Sequence, residues 1–289
     1  MDEAHLRERI FSALEDRLAG SAGVLTSTEL AFFDVDGQPR RLIANSKGIW
    51  NPQDLSATLS VVSSSDGPYA DEELAPGVWR YDYEAGSIHG SNTKLRRAFE
   101  SGVPIILLRK IAVGVYVPHF PVFVVDDHPD QRYFTLAVQD AAMLKDVDDP
   151  DVRRYVERVV KQRVHQPEFR GKVLLAYENQ CAVCHLRHPE LLDAAHILPD
   201  SHPEGRAVVT NGLSLCKIHH GAYDADFLGI DPDYRVHINS GLLEERDGPM
   251  LRHGLQEMHG ALLITPSKRN QKPSRENLSV RFEQFLSAS

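Results

Sequence analysis

The sequence predicts an α+β protein in two parts, on three observations. Residues 25–138 carry many short stretches of β-type residues separated by turn signals, with few helical patterns among them. An acidic run with a proline, QDAAMLKDVDDPD over 139–151, then interrupts them. Beyond it a long helical pattern leads into residues 181–224, which hold all three cysteines and six of the fourteen histidines. The expected division is a β-rich unit over 1–145, a curved sheet or half-barrel, and a second unit over 146–289 built on the cysteine–histidine stretch. At 289 residues the chain is long enough for two cores.

The elements follow in order. Leu6, Ile10, Phe11, Leu14 and Leu18 recur at helical spacing, so residues 2–19 read as a helix that Gly20 ends. TSTEL adds a short turn. ELAFFDVDGQPRRLI reads as two strands about Asp36-Gly37, a two-residue hairpin signal. LSATLSVV is a strand. VWRYDYE alternates, placing Trp79, Tyr81 and Tyr83 on one face and Arg80 and Asp82 on the other. Those rings either fill a core or form an aromatic cradle for an extruded base. NTKLRRAFESG is a helix with Asn92 as N-cap and Gly102 after its end. It carries a small basic cluster, Lys94, Arg96 and Arg97. VPIILLRKI is a buried strand. VGVYVPHFPVFVVDD supplies one or two more, with Pro118 and Pro121 marking an edge or a break. RYFTLAVQ closes the set.

In the second unit Asp151 precedes VRRYVERVVKQRVHQPEFRGKVLLAYENQ and is placed to cap it. The pattern is helical to Pro167 and again from Glu168. Arg153, Arg154, Arg158, Lys161, Arg163 and Arg170 make this the most basic stretch, either a solvated face or a set of phosphate contacts. The apolar run LLDAA reads as a strand ending at His196. Asn211-Gly212 is a hairpin signal, and the segment opened by His220 is helical. YRVHI alternates and extends the hairpin layer. GALLITPSKRNQKPSRENLSVRFEQFL adds a strand, a basic loop with Lys268, Arg269, Lys272 and Arg275, and a last helix.

Two patterns here carry chemistry. Cys181 and Cys184 form a C-x-x-C pair, and Cys216 and His219 a C-x-x-H pair. Joined by one loop, the pairs offer four soft donors to a single tetrahedral zinc. Three cysteines cannot all pair as disulfides, and the charged N-terminus is unlike a secretory signal. Reduced thiolates suit the cytoplasm. The second pattern is His196, Asn211 and His220, spaced by fifteen and nine residues within the same stretch.

Together these patterns resemble the zinc-binding variant of the HNH, or ββα-metal, nuclease family. The resemblance implies metal-dependent hydrolysis of a nucleic-acid phosphodiester. By similarity His196 is the general base, Asn211 holds the hairpin that aims it, and His220 binds a catalytic divalent ion, Mg²⁺, Mn²⁺ or Ni²⁺. Asp224 lies four residues beyond His220 on the same helix face, where some members carry a second ligand. One position departs from the family: many members place Asp or His before the base, and here it is Ala195. Asp224, Asp193 or a water takes the missing place. RVHQPEFR, DGPML and HGL also resemble segments of HNH restriction enzymes.

The first unit resembles the reader found ahead of HNH modules in some restriction endonucleases, an SRA-like or PUA-like domain. GIWNPQDLSATLS, PYAD, WRYDYE, SNTKLRRA and VYVPHFPVFV carry that likeness, over residues 25 to 135. Such readers bind DNA and can flip a modified cytosine. The implied pocket residues are Trp50, Tyr69, Asp71, Trp79, Tyr81 and Tyr83: rings to stack on a base, and a carboxylate to accept from its exocyclic amine.

A net charge of −9 argues against a nucleic-acid partner, but its distribution removes most of the objection. Residues 1–150 hold 14 Lys or Arg against 23 Asp or Glu, and residues 151–289 hold 18 against 18, so the acidity belongs to the first half. A local basic face can still meet phosphates. No run of eighteen apolar residues occurs, so no membrane span is expected. The sequence thus predicts a restriction-type endonuclease on double-stranded DNA, dependent on or sensitive to modified cytosine, and a homodimer by symmetry with the duplex. Two alternatives stay open: a structure-specific or repair nuclease without modification readout, and a non-catalytic zinc-stabilised reader.

Overall fold

The computed structural model describes residues 2–45, 47–64, 72–85, 90–143 and 150–288, with the side chains of 143, 150–155, 157–158 and 161–163 outside that description. It is an α+β chain of two compact units, Met1–Glu168 and Phe169–Ser289. The contacts divide the chain further along than the acidic run at 139–151. Among the described residues no helix is long and apolar enough to cross a membrane.

In the first unit α1 (Glu3–Ala19), β1 (Leu25–Thr26), α2 (Ser27–Ala31), β2 (Phe33–Val35), β3 (Gln38–Arg40), β4 (Ile49–Trp50) and β5 (Ser60–Ser64) come first. Then follow β6 (Glu73–Ala75), β7 (Val78–Asp82), α3 (Ser91–Ser101), β8 (Ile105–Ala112), β9 (Val115–His128), β10 (Tyr133–Val138), α4 (Gln139–Met143) and α5 (Pro150–Ala176). One open eight-stranded sheet runs β4-β5-β8-β9-β10-β7-β6, with β1 also on β9. Its one parallel pair among the described strands is β5 with β8.

The sheet buries both faces. Along β8, Ile105 and Leu107 enter a cluster with Trp79, Tyr81, Phe134 and Val164, while Ile106 and Leu108 enter another with Ile10, Leu14 and Phe33. A strand covered on both sides reads as an unbroken apolar run, as IILL does. Arg7, buried on α1, donates to the carbonyls of Pro104 at 2.7 Å and Ala57 at 3.1 Å and pairs with Glu3. That contact ties the first helix to the sheet.

Local signals hold at several turns. Asp36 and Gly37 take φ of 55° and 78° between β2 and β3, a backbone that favours Asp and Gly. Thr26 and Glu29 form a reciprocal capping box at α2. Other expectations are corrected. Pro118 and Pro121 mark neither an edge nor a break, because β9 runs through both between β8 and β10. Pro118 pairs in regular register with Leu108, and the ladder shifts register at Pro121, between Ile105 and Leu107. Asn92 is not the N-cap of α3, a place taken by Gly90. Its buried amide instead holds both backbone groups of Glu84, accepting from the N–H at 3.1 Å and donating to the carbonyl at 3.4 Å.

The helix α5 runs through Pro167, without the break expected there, and its last residues begin the second unit. β11 (Leu192–His196) pairs with β12 (Gly212–Cys216), and α6 (Lys217–Asp224) follows at once. Then come β13 (Leu228–Ile230), β14 (Val236–Ile238), α7 (Ser240–Glu244), α8 (Pro249–Gly254) and α9 (Arg275–Ala288). YRVHI does not extend the first hairpin; it pairs with β13 as a separate two-stranded sheet. The strand expected in GALLI is a single bridge, Arg235 to Leu262. Asn211-Gly212 is no tight turn, since Gly212 is extended at φ −127°. Glycine is required there by packing: a Cβ would meet Phe169 at 3.0 Å and would collide with Val173.

Candidate metal centre and active site

The hairpin and α6 bring two groups of side chains together. The first is the donor set Cys181, Cys184, Cys216 and His219, whose ligating atoms all lie within 4.8 Å of one another. Cys216 ends β12 and N-caps α6, so His219 falls one turn on and returns to the same point. His219 Nδ1 lies 3.1 Å from Cys216 Sγ and 3.5 Å from Cys181 Sγ, and Cys184 Sγ lies 3.9 Å from Cys216 Sγ. The thiols are free, not bridged. Metal–sulfur bonds of about 2.3 Å in a tetrahedron set ligand separations of about 3.8 Å, so this spacing fits one ion.

The chemistry of the set points the same way. Hydrogen bonds from Cys181 and Cys184 pull the Cys216 thiol well below its usual range. Burial would lower His219, but its hydrogen bonds to Cys181 and Cys216 override this and raise it to about 10. A cation bound here would be held by Cys181, Cys184, Cys216 and His219 and would replace the protons they share. The far ring nitrogen of His219, Nε2, donates to the carbonyl of Gly254 at 2.8 Å, which fixes Nδ1 as the inward atom.

The second group lies beside it. His196 ends β11 opposite Gly212. Its ring stacks on Phe169, centroids 4.0 Å apart and planes 18° apart. Burial lowers the pKa of His196 from the usual histidine value, with His220 pushing the same way and Asp200 and Asp224 opposing. Its buried Nε2 makes no hydrogen bond and lies 3.6 Å from Asp200 Oδ1. A neutral imidazole with an uncommitted nitrogen is what a general base needs.

Asn211 is almost wholly buried. Its Oδ1 accepts from the Leu198 N–H at 3.0 Å and from Asn277 Nδ2 at 2.9 Å, and its Nδ2 donates to the carbonyls of Leu198 and Arg206 at 3.0 Å each. The Asn211 carbonyl also accepts from the Ile197 N–H at 2.9 Å. One amide thus closes the loop that leaves His196. On α6, His220 Nε2 lies 3.3 Å from Asp224 Oδ2, and His220 Nδ1 lies 3.9 Å from Asp193 Oδ2.

The other expected site residues scatter. Trp79, Tyr81 and Tyr83 are core residues of the first unit, each 5 % exposed or less. Trp50 packs in the opposite cluster and donates its indole N–H to the Arg41 carbonyl at 2.9 Å. These four rings therefore do not line one cradle, because the alternation that aligned three of them turned them into the core. Tyr69 and Asp71 lie outside the described residues. Lys94 and Arg96 serve the fold, Lys94 on the Pro52 and Leu55 carbonyls and Arg96 on Asp127. Arg170 does likewise, bonding the carbonyls of Pro189 and Leu192. Arg153, Arg154, Arg158, Lys161 and Arg163 lie outside the described side chains. Phe169 and Asp200 join the site unexpectedly, and no local pattern announces either.

Residues 181–231 match the HNH_2 family, described as HNH endonuclease. This segment is an HNH endonuclease domain. No curated protein matches the chain. Among solved structures, one described as a modification-dependent TagI restriction endonuclease is 18% identical, with 83% of this chain and 85% of that one covered at a TM-score of 0.30. The SRA domain of SUVH5 in complex with methylated CHH DNA is 18% identical over 39% of this chain and 84% of that one, at 0.30. The type IV phosphorothioation-dependent restriction endonuclease ScoMcrA is 16% identical over 65% and 55%, at 0.24.

Proposed function

We propose that the chain is a restriction-type DNA endonuclease, with residues 146–289 cutting and residues 1–145 reading the duplex for modified cytosine. The observation that carries the nuclease reading is the HNH segment with a base, its loop clamp and a His–Asp pair on one hairpin and helix. The cluster of Cys181, Cys184, Cys216 and His219 would hold a structural zinc, which lets a small fold keep its shape with little core. His220 and Asp224 would hold the catalytic Mg²⁺, Mn²⁺ or Ni²⁺. When bound, that ion stabilises charge on the phosphate and the leaving oxygen.

The chain's own residues do the rest. His196, neutral at pH 7 because burial disfavours its charged form, takes a proton from water at its uncommitted nitrogen. Phe169 closes one face of the ring and limits its rotation. Asn211 fixes the backbone just beyond the base. Modified cytosine as the feature read rests on the SRA-like segments of the sequence. A homodimer, one active site per strand, follows from the twofold symmetry of duplex DNA.

The test is a cleavage screen of the purified chain on duplex DNA that is unmodified, cytosine-methylated or hydroxymethylated, with each of the three ions. Cutting of a modified duplex is the expected result. Failure on every substrate with every ion ends the nuclease reading, and equal cutting of all three ends the modification reading alone.

A further inference from the structure

We infer that Asp193 is a positioning residue for His220: its carboxylate accepts a hydrogen bond from Nδ1–H, which leaves Nε2, beside Asp224, as the ring's donor to the divalent ion. This rests on the proposed nuclease reading and adds to it a residue that stands in, indirectly, for the acidic side chain absent at Ala195.

Strand alternation puts Asp193 and Ala195 on one face of β11, and contacts of Asp193 with Lys217 and His220 show that this face meets α6. The buried methyl of Ala195 offers no ligand. Each nitrogen of the His220 ring has one carboxylate near it, Asp193 at Nδ1 and Asp224 at Nε2. A neutral imidazole gives one nitrogen to a metal and carries its proton on the other, so the two carboxylates must differ in role.

Their surroundings decide which is which. Asp193 Oδ2 lies 3.0 Å from Lys217 Nζ; its Oδ1 lies 3.5 Å from Arg170 Nε and accepts from the Ala194 N–H at 3.0 Å. A divalent ion at Asp193 would share that carboxylate with two fixed cations, so repulsion opposes it there. Asp224 is 65 % exposed and can turn toward an ion. At 3.9 Å the Nδ1 contact is longer than a hydrogen bond, so the inferred bond requires the His220 ring or the Asp193 carboxylate to turn toward the other.

The experiment titrates Mn²⁺ into the full chain by calorimetry, with the metal content of the thiol cluster measured in each variant as the check on folding. Asp193→Ala is expected to weaken Mn²⁺ binding by about 10- to 100-fold, the usual effect of losing a ligand's hydrogen-bond partner. Asp193→Asn keeps an acceptor oxygen and is expected to stay within about threefold of the parent. In ¹⁵N spectra with saturating Mg²⁺, His220 should carry its proton on Nδ1 in the parent and lose that preference in Asp193→Ala. Equal losses in the Asn and Ala variants would make Asp193 a direct ligand and overturn the inference. No loss in either would leave it an anchor for Lys217 and overturn it too. A parent chain that binds no Mn²⁺ removable by His220→Ala overturns the nuclease reading itself. A parent that binds and cuts leaves the role of Asp193 as the sole matter the variants decide.

Discussion

At the scale of single residues the proposed chemistry turns on His196. His196→Ala should lower cutting by about 10²- to 10⁴-fold, the usual worth of a positioned base, while DNA binding measured by mobility shift persists. Because the base works only unprotonated and burial depresses its pKa, the rate should be flat near neutrality and fall on the acid side of pH 6.5. A limb centred above pH 6.5 in a rate–pH profile would contradict the buried, stacked environment. Asn211→Ala should cost more than about 2 kcal/mol in thermal unfolding, since the Leu198 N–H and buried carbonyls lose partners together. The placing of His196, Asn211 and His220 on one hairpin and the helix after it is legible in the sequence from the strand and helix signals around them, and the roles proposed for them come from the family resemblance. Phe169 and Asp200 are not legible, because stacking and ion pairing across a folded loop leave no periodic trace.

Among the elements, sequence reading succeeds where the chemistry is local. Asp36-Gly37 needs a left-handed backbone, and the helix α1 needs only its apolar stripe. It fails where a neighbour decides. Gly212 reads as half of a turn, but it is the point where β12 passes under α5. Gly212→Ala should therefore destabilise the second unit by about 1–3 kcal/mol through overpacking, read as a lower denaturant midpoint. The docking of α1 is also testable. Burial would raise the Glu3 carboxyl, but hydrogen bonds from Ser56 and Arg7 outweigh it and hold its pKa at about 2. A folded value below the ordinary 4.5 means this contribution is present above pH 4.5 and fades as pH falls toward 2. Glu3→Gln should flatten that part of the stability–pH curve and leave neutral pH little changed in slope.

For the whole molecule, the charge divides at the acidic run and the contacts divide later, between Glu168 and Phe169. The acidic excess sits in residues 1–150, and the donor-rich hairpin in the balanced remainder. Stripping the Cys181–Cys184–Cys216–His219 site with a strong chelator should unfold the Phe169–Ser289 unit and leave the two-faced sheet of the first unit intact, seen as two separate calorimetric transitions. The two-part plan is visible in the sequence because metal donors cluster there as well as in space. The fate of the aromatics on β7 is not, because alternation fixes which residues share a face but not which face is wet.

The bond from His219 Nε2 to the Gly254 carbonyl gives the thiolate centre a hand on a remote piece of chain. A metal bound at Nδ1 would keep His219 from swinging and hold the end of α8 moored; without it, the moorings of the segment after β14 would loosen. Arg246 and Arg252 in that segment then become a built-in gauge of metal loading. Trypsin should nick the chelated protein there early and the zinc-loaded protein late.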